Sequence, residues 1–481
     1  MPTTSSRRRV QREAERLTHL LRRTTYGLTP ALVAEATKAG RTAWLEAQLA
    51  PAGIRDREGA AVLARFPNLS LSALEFSRKV DAGQANSWDA MSDLPKASLG
   101  RAAWSRRQLL EVMVDFWSNH FNVTCPSDDV WSTRHGYDAT LRANAFGRFA
   151  DLLVAATTHP AMLRYLNADT STKRAPNENL GRELLELHTV GVDAGYTERD
   201  VLDSARILTG LTLDWSTITT TFRPRDHWTG PVRVLGFSSA NALADGQPVV
   251  AAYLAYLARH PATARRLARK LAVRFVADDP PQSLVDRLAK VYLAGDTAIV
   301  PVLRALFAAP EFYAAQDAKL RRPMEAAVAT LRALGFGPAA EGVSELEDLY
   351  WALDGQGHQP YAWPQPDGYP DRAEAWASSA GILSRWNITL GIATEGWPKG
   401  FTHRPLRELV PRRLPATHGA LVAGLGLRLL QRPLPAAHVD AICRFLGQRT
   451  NSPLRADSEA VDWRLPYVVA LVLDSPIHVL R

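Results

Sequence analysis

Between Asn177 and His188 the chain crowds Asn177, Glu178, Asn179, Arg182, Glu183, Glu186 and His188 into three helical turns. Carboxylates and an imidazole at this density can trade protons with a bound molecule, and an arginine among them can hold a carboxylate in place. Pro176 suits the first turn of a helix, and Gly191 and Gly195 suit its end. At about 100° per residue, Leu180, Leu184 and Leu187 form one apolar stripe. Glu178, Arg182 and Glu186 fall on one ridge, so Arg182 is expected to bridge two carboxylates. Asn179, Glu183 and Glu186 line the next ridge, with His188 beside Leu184 and Leu185. Glu186 and His188 diverge by roughly 160°, so this helix alone cannot chelate a metal through both.

Two functions compete. In the first, the polar helix lines a site, and Glu183, Glu186, His188, His120 and Arg182 are the catalytic candidates. Glu183 then serves as general base with His188 or His120 as its partner. Alternatively, His120, His188 and Glu183 hold a divalent metal, with iron, manganese and zinc all suited to such mixed ligands. No HExxH is present. Asn177, Asn179, His227, Trp228 and Trp363 are the candidate contacts to a small-molecule substrate. In the second, the helix is a buried ion-pair network that sets packing, and the protein is a non-catalytic binding or assembly protein. Phosphate-loop, dinucleotide and nucleophile-elbow motifs are missing from the sequence.

Several elements must position these residues. A helix is expected over Arg101–Phe121, where Leu109, Met113, Phe116 and His120 share a face. A lone histidine on such a face is more often a packed, hydrogen-bonded core residue than a ligand. Glu111, Asp115 and Asn119 line another ridge. Residues 70–100 are polar and irregular, which predicts a mobile flap or linker. Residues 211–237 are rich in β-branched and aromatic types with turn signals, predicting a small hairpin or two short strands that carry His227 and Trp228. Arg266, Arg269, Lys270 and Arg274 share a basic helix; they can bind an anion, or form a solvated face paired with neighbouring carboxylates. Residues 355–371 hold four prolines, three glycines, two tyrosines, Trp363 and His358, a composition that favours a fixed, packed loop.

With 481 residues, 46% hydrophobic and 22% charged, the chain is globular rather than disordered. The net charge of +8 is spread along the chain, with dense basic stretches only at Arg7–Arg9 and in the Arg265–Arg274 helix, which argues against a nucleic-acid partner. Two distant cysteines, Cys125 and Cys443, do not indicate a disulfide framework. QREAER rather than an apolar segment follows the adjacent arginines, and no apolar run nears the ~18 residues of a membrane span. A cytoplasmic protein is the expectation.

Taken together, HLLRRTTYG (19–27), FWSNHF (116–121), HPAMLRYL (159–166), PNENLGRELLELHTVG (176–191), YTERDV (196–201), ARKLAVRFV (268–276), WPQPDGY (363–369) and the final SPIHVLR carry a likeness. The chain resembles the bacterial family called domain of unknown function 1800 over nearly its whole length. The resemblance implies a mainly helical fold, genes often placed beside those of a sulfatase- or phosphatase-like family, and export of many members; it names no reaction. Where the family pattern usually has alanine, this chain has Gly181, which weakens a helix slightly.

The expected fold is mainly α, a multi-helix orthogonal or bundle-like assembly with a β-hairpin excursion near 211–237. Residues 1–240 and 241–481 are expected as two helical units packed together. An enzyme using acid/base or metal-assisted chemistry is the favoured function.

Overall fold

The computed structural model describes residues 4–481; the side chains of residues 4–8, including Arg7 and Arg8 of the basic run, lie outside the described residues. Twenty-four α-helices and two two-stranded antiparallel sheets make up the described chain. The mainly α expectation holds. No described helix is long and apolar enough to cross a membrane.

Helix starts follow local chemistry. Thr29 caps Pro30–Ala39 by accepting the Leu32 amide, with Pro30 at the first helical position. Thr197 and Asp200 form a full capping box at the head of Glu198–Leu208. Apolar stripes on these helices merge into one core cluster reaching from Leu17 to Leu473. Leu184, Leu271 and Phe275 are each 0–1% exposed within it, and each such side chain contributes about 1.5–3 kcal/mol by leaving water.

Residues 70–100 are not a flap. They form the helices Ala73–Asp81 and Ser87–Trp104, begun by capping boxes at Ser72/Glu75 and Asn86/Asp89. Those polar residues read as loop composition, yet they are helix caps, and Pro95 is accommodated inside the second helix. That helix ends at Trp104, so the expected single helix from Arg101 splits, and the next runs Gln108–His120. The β excursion is two hairpins: Leu211–Asp214 pairs with Thr219–Phe222, and Val232–Val234 with Phe237–Ser239.

The polar helix is short and irregular. An α-helical segment, Glu178–Glu183, gives way to a π-helical turn over Leu184–His188. The Thr189 hydroxyl closes the widened turn by donating to the Leu184 carbonyl at 2.6 Å, and the Gly191 amide donates to the Leu185 carbonyl at 2.9 Å. Such turns widen the ladder and free carbonyls for other partners. Gly181 has a packing reason as well, since a Cβ there would lie 2.8 Å from the Ala205 nitrogen of the crossing helix Glu198–Leu208.

Candidate functional site

Three elements meet around a cleft of about 420 Å³: the Gln108–His120 helix, the Pro261–Phe275 helix and the loop from Trp363 to Arg372. On Pro261–Phe275, Leu267, Leu271 and Phe275 face the core. Arg266, Lys270 and Arg274, four apart, therefore share a different face and line the cleft. On the first helix the same spacing presents Phe116 and His120, whose rings stack with centroids 6.4 Å apart.

The loop is held at many points. Asn122 donates to the carbonyls of Trp363 and Gln365 at 2.9 and 2.6 Å, Tyr165 to Pro364 at 2.7 Å, and the Tyr369 amide to the Asn119 side chain at 2.9 Å. Gly368 lies with φ +73°, and a Cβ there would fall onto the Asn119 carbonyl. Only glycine lets the loop approach the helix end this closely. The expected fixed, packed loop is observed.

At the centre of the cleft wall the Lys270 ammonium nitrogen stands 3.0 Å from His120 Nδ1. His120 Nε2 stands 3.0 Å from the His188 carbonyl oxygen, which can only accept, so Nε2 carries the ring proton and Nδ1 accepts a hydrogen bond from Lys270. His120 is buried, and burial, followed by the charge of Lys270, pushes its pKa well down, so it is neutral. Lys270 is half-buried; burial, then Arg266, lowers its pKa to about 7, with Asp371 and Asp367 opposing.

A closed ionic cluster forms the floor. Glu325 receives Arg274 at 2.5 Å, Arg481 at 3.1 Å and Arg322 at 3.3 Å. Asp115 binds Arg322 and Arg274, and Asp371 binds Lys319 at 3.4 Å. Burial would raise Glu325, but Arg274, Arg481 and Arg322 outweigh it and hold the carboxyl well below the usual range.

The chain matches the family model described as Protein of unknown function (DUF1800) over residues 19–480. It belongs to that family. No curated protein and no solved structure matches it.

In this DUF1800 chain the side chains of the polar helix contribute less to the cleft than its backbone does. Freed by the π-turn, the Leu187 carbonyl accepts from Arg266 Nε and Nη2 at 3.3 and 3.2 Å, and the His188 carbonyl holds His120. Gly191 leaves room for this, because a Cβ there would lie 2.9 Å from Arg266 Nη1. Arg182 does not bridge Glu178 and Glu186. It pairs with Glu178 at 3.4 Å and Glu198 at 2.6 Å near the surface, so no buried ion-pair network exists here. Asn177 caps the helix and donates to the Asn167 carbonyl at 2.8 Å, and Asn179 is exposed. Glu183 and Glu186 are half-buried outside the cleft lining; burial, then the Glu186 charge, raises the Glu183 pKa.

His188 is fully buried against Phe121, ring centroids 5.0 Å apart, and neither ring nitrogen has a hydrogen-bond partner. Burial, then Lys270 and Arg266, lowers its pKa to about 3. His227 is spent within the hairpins, its nitrogens 2.8 Å from the Thr209 carbonyl and 2.9 Å from the Asn241 side-chain oxygen. Trp228 stacks under Arg206 at 4.6 Å. Of the candidates, only His120 and Trp363 line the cleft. His120, His188 and Glu183 do not form a ligand set, and among the described residues no group of three or more His, Cys, Asp or Glu is placed to hold a metal ion.

The sequence reading did not single out Lys270 as a reactive group, and it left Asp371, Arg322 and Glu325 aside. The four-residue repeat Arg266–Lys270–Arg274 was the available signal. What set Lys270 apart, its contact with His120, joins residues 150 positions apart.

Proposed function

We propose that this protein is an enzyme that moves a proton on a small molecule held in the cleft, with Lys270 as the base. The supporting observation is the Lys270–His120 contact in the wall of an open cleft, with no carboxylate close enough to lock the lysine as an ammonium ion. A base poised near the operating pH is the form general base catalysis requires. With a pKa of about 7, a large share of Lys270 is neutral amine near neutrality. One N–H of that amine points to His120 Nδ1, which leaves the nitrogen lone pair free to take a proton from a bound molecule. His120 is thus a positioning residue, itself fixed by the His188 carbonyl. After Lys270 accepts a proton, Asp371 and Asp367 stabilise the ammonium ion. Trp363, whose indole N–H donates to Asp367 at 2.6 Å, offers an aromatic wall to the bound molecule.

Competitive acetylation of the intact protein across pH, read by peptide mass spectrometry, tests this reading. Lys270 is expected to gain reactivity with a midpoint near 7, well below the ~10.4 of an ordinary lysine. A Lys270 that titrates with the surface lysines leaves the cleft as a binding site without a base.

A further inference from the structure

The four cations of Pro261–Phe275 divide into two kinds. Arg269 lines the same cleft but spends its charge on Asp279 at 3.3 Å, and Arg274 is consumed by the buried Glu325 cluster. Arg266 and Lys270 lie between them, half-buried, and neither makes a salt bridge among the described residues. Arg266 spends Nε and Nη2 on the Leu187 carbonyl, and no hydrogen bond uses Nη1. Arg372, exposed at the cleft mouth, also makes no ion pair among the described residues. None of the three acids of the lining makes direct contact with these cations: Asp115 and Asp371 are held by Arg322, Arg274 and Lys319, Asp367 accepts from Trp363, and Asp371 and Asp367 act on Lys270 only at a distance.

Glu186 and Asp193 act on Arg266 only at a distance; withdrawing a cation from water with no carboxylate in direct contact is costly, and a cleft carrying such cations is a place where an anion recovers that cost. We infer that Arg266 and Arg372 seat the oxyanion group of a small-molecule substrate, a carboxylate, phosphate or sulfate, one helical turn from Lys270. The remainder of the ligand lies on Trp363 and Phe116, and a volume of about 420 Å³ limits it to a small molecule. The inference deepens the acid–base reading and rests on it for the role of Lys270: the base then works on a proton next to the anionic group. Arg266 and Lys270, at i and i+4, are neighbours on the helix surface, which sets that spacing.

Calorimetric titration of the full chain with inorganic phosphate and with malonate is the test, the stronger of the two probes identifying the oxyanion type. Saturable binding is expected, weakened about fivefold or more by Arg266→Gln and by Arg372→Gln. Arg287→Gln, which removes an exposed charge paired with Glu311 outside the cleft lining, is expected to stay within about twofold of wild type. Arg372 is exposed and unpaired, so its variant keeps the result readable even if Arg266→Gln fails to fold. No saturable binding of either probe, or binding untouched by the Arg372 substitution, overturns the inference. The two readings separate cleanly. Anion binding beside a Lys270 that titrates normally retains the anion seat and removes the base, whereas a low-titrating Lys270 with no anion binding does the reverse.

Discussion

Lys270→Met isolates the free energy stored in the half-buried lysine. In the folded protein the amine falls from its ordinary 10.5 to about 7. A drop of that size corresponds to about 5 kcal/mol against folding at pH 6, where the side chain is charged in both states. Above pH 7 the unfolded chain holds a proton that the folded chain has lost, so stability rises with pH. By pH 9 the cost has shrunk to about 2 kcal/mol. Methionine carries no proton, so the stability of the variant relative to wild type should fall by about 3 kcal/mol between pH 6 and pH 9. Residual solvent contact at Lys270 reduces this to about 1.5–3 kcal/mol. The lost hydrogen bond to His120 costs the same at both pH values and cancels in the difference. For 481 residues, unfolding entropy is about 1 kcal/mol/K, so the gap in Tm should change by about 1.5–3 °C. Thermal melts of both proteins at the two pH values measure it. Parallel Tm profiles would refute the reasoning, because they mean that Lys270 is solvated.

Two further outcomes follow from packing. Gly368→Ala places a Cβ on the Asn119 carbonyl at φ +73°, and should destabilise the protein by about 2–4 kcal/mol while moving the Trp363 loop. Urea unfolding followed by tryptophan fluorescence reads both effects, and a change below about 0.5 kcal/mol would show that the loop is not anchored there. His188→Phe removes two unpartnered buried nitrogens beside Phe121 and should leave stability equal or raised by about 1 kcal/mol. A loss above about 2 kcal/mol in the same assay would mean that the imidazole is hydrogen-bonded in solution, most simply to a buried water.

Much of the architecture was readable from local pattern. Thr29-Pro30, Thr197/Asp200 and the Leu267–Leu271–Phe275 stripe announce their helices because capping and amphipathic periodicity act over a few residues. The aromatic, proline-rich run at 355–371 is legible as a fixed loop, since rings and fixed φ angles order a segment from within. Residues 70–100 are ambiguous in sequence: the same Ser, Asn, Asp and Glu that mark loops also cap helices, and only the bonds they make decide between these roles. At the polar helix the error was geometric. A uniform 100° per residue placed Arg182 between Glu178 and Glu186, whereas the π-turn at Leu184–His188 rotates everything after it.

By itself, then, the sequence determined the helical class, most helix boundaries, the family and the region where polar chemistry gathers, because propensity, capping and periodicity are properties of neighbouring residues. Tertiary structure alone decided which of those polar groups meets a cavity. It turned the helix Asn177–His188 into a source of carbonyl oxygens, sorted four similar cations into paired and unpaired, and brought Lys270 to His120. Burial and counterion distance set the charge of an ionisable group, and both are fixed only when distant segments of the chain pack together.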